Sequence, residues 1–483
     1  MAIITDTDTG AELRRSPYKT IWKLAWPQLV MMFFHFLIGF VDVWVAGKLG
    51  RDVQACMGMV SQAMFFFLVV ALALANGTVA AISQSAGAGL CRRVQRYVGL
   101  SLEIGVVSGL VILVPVLMFR ETFLSLLQVP PDLEPIMGYM LEVFLYLTPA
   151  YYLFVICNAI FRAQKKVLCP LYAMILVTTV NTIGDLGLGL GMFGLPALGY
   201  KGLAWATFGS ILCGTVFNLV VLGRLGLLRR NSFAPWRWVK RAWPYLFKVS
   251  WPAGLSQIVW HSAYMVLYAL TASLPENSVV AMAGMSAGIR VESLLFLPGM
   301  AFNFTASILI GHYLGAGEFE EAKRFGYRIM TFGVVLISCS TALLWTVVEP
   351  LASFLAPDPQ VQAETVRYLA YNMAAMPFLL AAMILGGAFT GAGATIYQTF
   401  ISGGASWLVR LPLAYILGHL VLRSSTGIWM AMLISMVVQS MIMLYVYQFK
   451  AWHRFSMRSG KRVRPAPEQE CIFDTSTKHE TST

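Results

Sequence analysis

Two aspartates inside apolar segments are the residues of this sequence best suited to chemistry. Asp42 and Asp185 each follow a lysine, Lys23 and Lys166, by 19 positions within a long apolar run. If both runs are helices that leave the same membrane face, the two carboxylates lie at matching depth, about 28 Å from their lysines. A charged side chain at mid-bilayer costs roughly 2.5–3.5 kcal/mol on insertion scales, so each acid is a candidate functional residue.

Asn181 and Thr207 add further oxygen-bearing side chains at this depth. Asn181 precedes Asp185 by four positions, which places both on one helical face. Thr207 follows Lys201 by six positions in a run that returns across the membrane, so its hydroxyl reaches a similar level. Two carboxylates, an amide and a hydroxyl suit Na⁺, which prefers hard oxygen ligands, or a proton between neighbouring acids. The alternative is a polar clamp between helices that satisfies buried groups.

Other charged residues and a proline also fall within apolar runs. Arg290 and Glu292 are two positions apart, so they do not face each other along a helix, and Arg410 is isolated. We interpret these three as a secondary polar network, with contact to a substrate as the alternative. Pro27 removes a helical hydrogen bond and allows a helix to bend. Such a hinge would move Asp42, although a static kink fits the sequence equally well.

The elements that carry these residues are predicted to be transmembrane helices. Hydrophobic residues make up 58% of the sequence and charged residues only 12%, whereas soluble domains contain about 25% charged residues. About twelve apolar runs reach the roughly 20 residues that a helix needs to cross a bilayer. The predicted fold class is therefore an all-α polytopic membrane protein. Most basic residues lie in loops on the side of the two termini, which predicts cytoplasmic termini and explains the net charge of +12 without nucleic acid.

The chain also contains an internal repeat. Lys23–Pro27 (KLAWP) recurs 225 positions later as Lys248–Pro252 (KVSWP), and Gly87–Gly89 recurs 228 positions later as Gly315–Gly317. Six spans per repeat give two halves of the same orientation, related by an axis along the membrane normal. The predicted segments are a cytoplasmic N-terminal segment (1–20), a first lobe (21–223), a cytoplasmic linker (224–245), a second lobe (246–450) and a cytoplasmic polar tail (451–483).

A series of motifs between about residues 20 and 450 resembles the multidrug and toxic compound extrusion (MATE) transporters. The motifs are Trp26-Pro27, Val41–Gly47, Gln84–Gly89, Phe161–Lys166, Asn181–Asp185, Gly202–Thr207 and Gly311–Gly317. The resemblance implies a V-shaped pair of six-helix lobes that alternates access and exports cationic, often aromatic, compounds in exchange for H⁺ or Na⁺. In the DNA-damage-inducible branch, the matching residues form a cation site, which implies that role for Asp42, Asn181, Asp185 and Thr207.

The sequence departs from other branches of that family in its second half. Those branches place a glutamate in the seventh span and an aspartate in the tenth. Here Ser256–His261 contains no acid, and no acid lies between Tyr371 and Phe389. The tyrosine that some members place one turn before the first-span aspartate is Ile38. The coupling site is therefore predicted in the first lobe alone.

The predicted function is multidrug efflux by secondary active antiport, with H⁺ or Na⁺ as coupling ion and no cofactor. Predicted partners are small cationic or aromatic molecules and the lipid bilayer, and we expect a monomer in a bacterial-type inner membrane. The alternative is a flippase for lipid-linked oligosaccharides or lipid precursors, which needs a strongly basic lateral cavity, whereas only Arg290 and Arg410 lie within spans. An enzyme is not predicted, because the sequence has no HExxH motif and no cluster of His and Cys. A passive channel is disfavoured by the duplicated two-lobe design.

Overall fold

The computed structural model describes residues 16–126, 129–229, 232–356 and 358–457. Residues 1–15 of the predicted N-terminal segment and 458–483 of the predicted tail lie outside these described residues. Twelve long helices follow one another in the described chain. They are α1 (Pro17–Leu49), α2 (Arg51–Gly87), α3 (Cys91–Met118), α4 (Glu134–Ala163), α5 (Leu168–Gly184), α6 (Tyr200–Arg224), α7 (Trp236–Ala272), α8 (Ser278–Gly315), α9 (Phe319–Trp345), α10 (Pro359–Ala392), α11 (Thr395–Gly404) and α12 (Ser425–Phe449).

Shorter helical pieces extend two of these helices and connect others. α5 continues directly into a π-helical turn, Asp185–Gly189. α11 continues through the π turn Ala405–Arg410, the short helix Leu411–Tyr415 and a second π turn, Ile416–Val421. The remaining pieces are Arg120–Leu126, Met192–Gly194, Val348–Leu355 and Trp452–Phe455.

Eleven of the described helices are long and apolar enough to cross a membrane. The remaining long helix, α7, has 37 residues but is not among them. Its first turns are basic, and Ser256, Gln257 and His261 interrupt its apolar part, which lowers its mean hydropathy. α7 occupies the place of the predicted seventh span. The all-α polytopic membrane fold is thus confirmed, with the helix order predicted from the apolar runs.

Contacts within the chain divide it into two compact units. Of the described residues, the first unit contains 30–250, and the second contains 16–29 and 251–457. The first unit therefore holds most of α1, all of α2 to α6 and the basic start of α7. The second unit holds the first turns of α1, the apolar part of α7 and α8 to α12. The bounds predicted for the lobes and the linker stay a prediction.

Both places where the described chain passes from one unit to the other lie beside a repeat-related proline. α1 passes into the first unit two residues after Pro27, and α7 passes into the second unit just before Pro252. Within the second unit, the buried Gln28 Nε2 donates a hydrogen bond to Thr305 Oγ1 of α8 at 3.1 Å. Thr399 Oγ1 of α11 donates to the carbonyl of Pro252 at 2.7 Å. Each proline is therefore next to a specific anchor in the second unit.

Candidate cation site

The first unit brings Asp42, Asn181 and Asp185 together. The Asp42 carboxyl of α1 lies beside the Asp185 carboxyl and the Asn181 amide. Asn181 belongs to the last turn of α5, and Asp185 begins the π turn that continues it. Asp42 is 7% exposed, and Asn181 and Asp185 are completely buried. Two carboxyl groups therefore share one buried environment.

Thr207 of α6 joins this cluster through Asn181. Thr207 Oγ1 accepts a hydrogen bond from Asn181 Nδ2 at 3.5 Å and donates to the carbonyl of Leu203 at 3.2 Å. Because the hydroxyl donates its proton to a carbonyl within α6, the oxygen lone pairs remain to face the cluster. All four residues predicted for the cation site thus lie in one place.

Small residues allow α6 to approach the end of α5. A Cβ atom on Gly184 of α5 would lie 2.7 Å from the Cβ of Ala206. A Cβ atom on Gly202 of α6 would collide with the backbone carbonyl of Leu188, in the π turn after α5. Because real Cβ atoms do not make such short contacts, glycine at these two positions sets the distance between Thr207 and α5.

α1 is held against α5 by contacts on both sides of the aspartates. Thr178 Oγ1 of α5 donates to the carbonyl of Met174 at 2.8 Å and approaches the carbonyl of Phe34 in α1 at 3.5 Å. On the other side, a Cβ atom on Gly189 would lie 3.3 Å from the Val45 side chain of α1. Asp42 lies between these two contacts along α1, so its carboxyl is directed to Asp185.

Four oxygen atoms of the cluster are buried and accept no hydrogen bond. They are Asp42 Oδ1, Asn181 Oδ1 and both carboxyl oxygens of Asp185. A buried acceptor without a donor costs about 1–3 kcal/mol, and more when it is charged. Two adjacent carboxylates in a low-dielectric interior cannot both stay ionised without a compensating positive charge. The arrangement fits a proton held between the acids or a desolvated monovalent cation bound by oxygens.

Tyr151 of α4 is a member of this neighbourhood that sequence reasoning missed. Its side chain lies within electrostatic range of the Asp42 carboxyl. The cluster is built from α1, α5 and α6, and α4 places Tyr151 within electrostatic range of it. No sequence signal singled out this residue, because it is one of 19 tyrosines and lies in an apolar run with no charged neighbour.

The second unit contains a separate polar cluster centred on Arg410. Arg410 is 1% exposed, although it lies at the end of the first π turn after α11. Its Nε donates to Ser435 Oγ of α12 at 2.9 Å, and its Nη2 donates to the sulfur of Met436 at 3.3 Å. The guanidinium carbon lies 5.6 Å from the ring centre of Tyr264 in α7. The third nitrogen, Nη1, is buried without a hydrogen-bond partner.

Glu292 of α8 belongs to the same cluster, but Arg290 does not. Glu292 accepts a hydrogen bond from the Tyr368 hydroxyl of α10 at 2.7 Å and lies within electrostatic range of Arg410. The Arg290 side chain is exposed, and its backbone carbonyl accepts a local hydrogen bond from Ser293. The two-residue spacing on α8 thus separates Arg290 from Glu292. Of the three residues predicted for the secondary network, Glu292 and Arg410 lie in this cluster and Arg290 does not.

A GxSxG pattern, Gly284–Gly288, also lies in α8. In serine hydrolases this pattern forms a sharp turn between a strand and a helix, whereas here it lies within a continuous helix. A Cβ atom on Gly284 would meet Glu364 at 2.8 Å, and one on Gly288 would collide with the ring of Tyr368. These glycines serve the packing of α8 on α10 and do not present a nucleophile.

Comparison with known proteins gives consistent matches along the chain. The family described as MatE matches residues 27–186 and 252–416. The multidrug resistance protein PmpM of Pseudomonas aeruginosa is 27% identical over 95% of this chain and 97% of its own length. The probable multidrug resistance protein NorM of Thermotoga maritima is 23% identical over 92% of this chain and 95% of its own length.

Solved structures show the same fold at low sequence identity. A crystal structure of MATE in the bent conformation has a TM-score of 0.84 with this chain at 18% identity, and it covers 93% of this chain and 100% of that one. The Vibrio cholerae MATE transporter VcmN in the bent form has a TM-score of 0.81 at 20% identity, covering 91% and 98%.

Proposed function

This chain belongs to the MATE family of membrane transporters, and on that premise we propose that it exports organic compounds by antiport. The driving ion, H⁺ or Na⁺, binds at Asp42, Asn181, Asp185 and Thr207. The observation that supports this site is the set of four buried oxygens without hydrogen-bond donors. A purely structural clamp would satisfy its buried acceptors, because nearly all buried polar groups in folded proteins are paired.

Ion binding can be coupled to movement through the acid pair. A bound ion compensates the charge of Asp42 and Asp185 and allows α1 to stay against α5. When the ion leaves, repulsion between the carboxylates favours separation of the two helices. Pro27 lies in α1 where the helix passes from one unit to the other, so bending there would translate the separation into a change of access. An ion with unequal affinity for the two states shifts the equilibrium between them.

The site suits either coupling ion. Two adjacent carboxyls can hold one proton between them, and Asn181 and Thr207 are not required as proton acceptors. Na⁺ would use the same carboxyls together with the Asn181 and Thr207 oxygens, which are hard ligands. Thr207 is therefore the residue whose removal distinguishes the two ions.

Small organic compounds are the proposed substrates. Several relatives of this chain are multidrug resistance proteins, or probable ones, and these names support efflux of structurally varied molecules. They give no support to the alternative of a lipid-linked precursor flippase. Cationic or aromatic substrates, a monomeric state, a bacterial inner membrane and cytoplasmic termini remain part of the proposal.

Reconstitution into liposomes with independently imposed H⁺ and Na⁺ gradients tests this function. A panel of fluorescent organic cations serves as substrate, and export is expected to depend on one of the two gradients. Asp42→Asn and Asp185→Asn are expected to abolish gradient-driven export. Asp52→Asn is the matched control, because Asp52 has a 60% exposed side chain and pairs with the exposed Arg51 at 3.5 Å. Undiminished export by both site variants would reject the site, and export insensitive to both gradients would reject antiport.

A further inference from the structure

The first turns of α7 form a feature of the first unit that the candidate cation site does not use. We propose that they bind the acidic headgroups of phospholipids at one face of the membrane, together with arginines at the start of α3. The basic surface is defined here as residues 236–248 of α7 and 92–96 of α3. Its role does not depend on which ion drives export, or on the site at Asp42 and Asp185.

The chain around the start of α7 is rich in cations and has no acids. From Leu186 to Pro275 the sequence contains neither aspartate nor glutamate, whereas seven lysines and arginines lie between positions 224 and 248. Arg237, Lys240 and Arg241 of α7 are exposed. None of these three forms an ion pair with an acidic residue of the described chain. The basic surface therefore carries positive charge that an acidic partner can neutralise.

The first turns of α7 present three different faces, because successive residues turn by about 100° around a helix. One face carries exposed cations: Arg237, Lys240 and Arg241. The face beside it carries exposed aromatic side chains: Trp236, Trp243 and Phe247. The face opposite the cations is buried in the first unit: Ala242, Leu246 and Val249. Cations beside exposed aromatic rings are typical of a helix at a membrane surface.

The aromatic face favours a phospholipid over a soluble anion as the partner. Trp236 is 69% exposed and Phe247 is 54% exposed. Trp243 stacks on Phe247 with 5.9 Å between the ring centres, so the aromatic face continues along the helix. Lys240 Nζ lies 5.8 Å from the ring centre of Trp236. A headgroup at the membrane–water interface can contact both groups at once, because aromatic rings are favoured at that level and the ammonium attracts the phosphate.

Arginines at the start of α3 extend the basic surface. The Arg96 guanidinium lies 5.7 Å from the ring centre of Trp238 in α7, and the Arg93 guanidinium lies 5.7 Å from the ring centre of Tyr97. Trp238 and Tyr97 themselves pack edge to face, with ring centres 5.0 Å apart. Stacking on a ring holds a guanidinium in place while its N–H donors, which lie in its own plane, can bind a phosphate. Two helices thus direct cations to one surface.

Ser232, just before α7, fixes the orientation of this surface. It is completely buried, and its Oγ donates a hydrogen bond to the carbonyl of Leu227 at 3.1 Å. Gln95 Nε2 of α3 donates to the carbonyl of Gly226 at 3.3 Å. A Cβ atom on Gly99 of α3 would collide with the Ser232 carbonyl, so the chain passes directly over α3. Because the first turns of α7 are already positioned, binding a headgroup does not require that they become ordered.

Binding at the basic surface acts on a helix that leaves the first unit. α7 passes into the second unit just after Ser250. Acidic phospholipid holds the first turns of α7 at the membrane surface and binds the folded protein, so it should raise the thermal midpoint. Zwitterionic phospholipid has no net charge and should have a smaller effect.

Thermal unfolding of the purified full-length protein in detergent tests this surface. Phosphatidylglycerol and phosphatidylcholine are titrated separately. Wild type is expected to reach the same stabilisation at a concentration of phosphatidylglycerol about tenfold lower than that of phosphatidylcholine. The variant Arg237→Gln/Lys240→Gln/Arg241→Gln should lose this preference, because each cation near the surface adds to the attraction of acidic lipid. High salt should also reduce the preference of wild type.

Three further measurements identify the partner. Lys19→Gln/Arg51→Gln/Arg324→Gln is the matched control, because it removes the same charge from exposed positions outside the basic surface, and it should keep the wild-type preference. Trp236→Ser/Phe247→Ser keeps every charge and should bind phosphatidylglycerol several-fold more weakly, because the rings no longer contact the headgroup region. Inorganic phosphate in place of lipid should not stabilise the protein.

A wild-type preference in the triple variant of α7 would overturn the proposal, and an equal loss in the control would assign the effect to net charge. Unchanged binding by Trp236→Ser/Phe247→Ser, or equal stabilisation by inorganic phosphate, would identify a site for soluble anions instead of a lipid surface. If the triple variant does not fold, Lys240→Gln and the salt dependence of wild type decide. A reduced preference in both supports the proposal, and an unchanged preference in either overturns it.

Discussion

The carboxyls of Asp42 and Asp185 lie side by side in the first unit, and three of their four oxygens are buried without a hydrogen-bond donor. An amide at either position has nearly the shape of a protonated carboxyl but cannot release the proton. We therefore expect Asp185→Asn to resemble the ion-bound state permanently.

Asp185→Asn should lose gradient-driven export by at least about tenfold, the loss expected when an energetic coupling of about 1.4 kcal/mol or more disappears. It should still exchange substrate for substrate across the membrane, because that exchange needs the ion-bound form but no ion release. Counterflow of a labelled substrate in liposomes measures this exchange of substrate for substrate. Loss of both activities in a folded variant would show that Asp185 is needed for something other than coupling.

Thr207 offers a test of which ion is bound. Thr207→Val removes a neutral oxygen that faces the carboxyl cluster and keeps the shape of the side chain. A hydrogen bond to a charged group contributes about 1.5–3 kcal/mol. Loss of a contact of that strength should weaken ion binding roughly 10- to 100-fold. If Na⁺ is the ion, the Na⁺ concentration for half-maximal export should rise by that factor, and Thr207→Ser should restore it. If H⁺ is the ion, the pH dependence of export should change little in either variant.

The equal spacing of Asp42 and Asp185 from their lysines was enough to predict that the two acids lie at the same depth in the membrane, because the rise per residue of a helix is constant. The four-residue step from Asn181 to Asp185 placed both on one face for the same reason. Tyr151 could not be predicted in this way, since its electrostatic interaction with Asp42 depends on where the fold places α4 relative to α1. The sequence carries no short-range signal for that packing.

The second unit shows a different limit of sequence reasoning. Arg290 and Glu292 are near neighbours in sequence, yet only Glu292 contacts the Arg410 cluster, because two steps along a helix turn a side chain to the other side. Tyr368, which donates a hydrogen bond to Glu292, and Arg410 lie on other helices, far away in sequence. The π turns at Asp185 and Arg410 add a further difficulty, because the i to i+4 rule does not continue through a π turn.

Gly202 provides a test of the packing that positions Thr207. Gly202→Ala places a methyl group against the Leu188 carbonyl, and overpacking of this kind costs typically about 1–3 kcal/mol. The expected result is a lower thermal midpoint and weaker ion binding, because α6 must move away from α5. Gly209→Ala is the matched control in the same helix, since an added Cβ there meets nothing within 4 Å. Comparable effects of the two substitutions on ion binding would contradict this account.

Pro27 and Pro252 test whether bending occurs where the chain passes between units. Proline in a helix interior is about 3 kcal/mol less favourable than alanine, so Pro27→Ala, Pro252→Ala and the control Pro115→Ala should all leave thermal stability unchanged or raised. Pro115 lies inside α3, which belongs entirely to the first unit.

If the two repeat-related prolines act as hinges, Pro27→Ala and Pro252→Ala should lower the maximal rate of export several-fold without changing ion affinity, whereas Pro115→Ala should not. The rate falls because straight helices favour one access state, and a transporter must populate both in each cycle. Export rates at saturating ion, together with half-saturation values for the ion, separate these effects. Wild-type rates in both variants would mean that these prolines do not act as hinges. A rate loss in all three variants would assign the effect to helix stiffness in general.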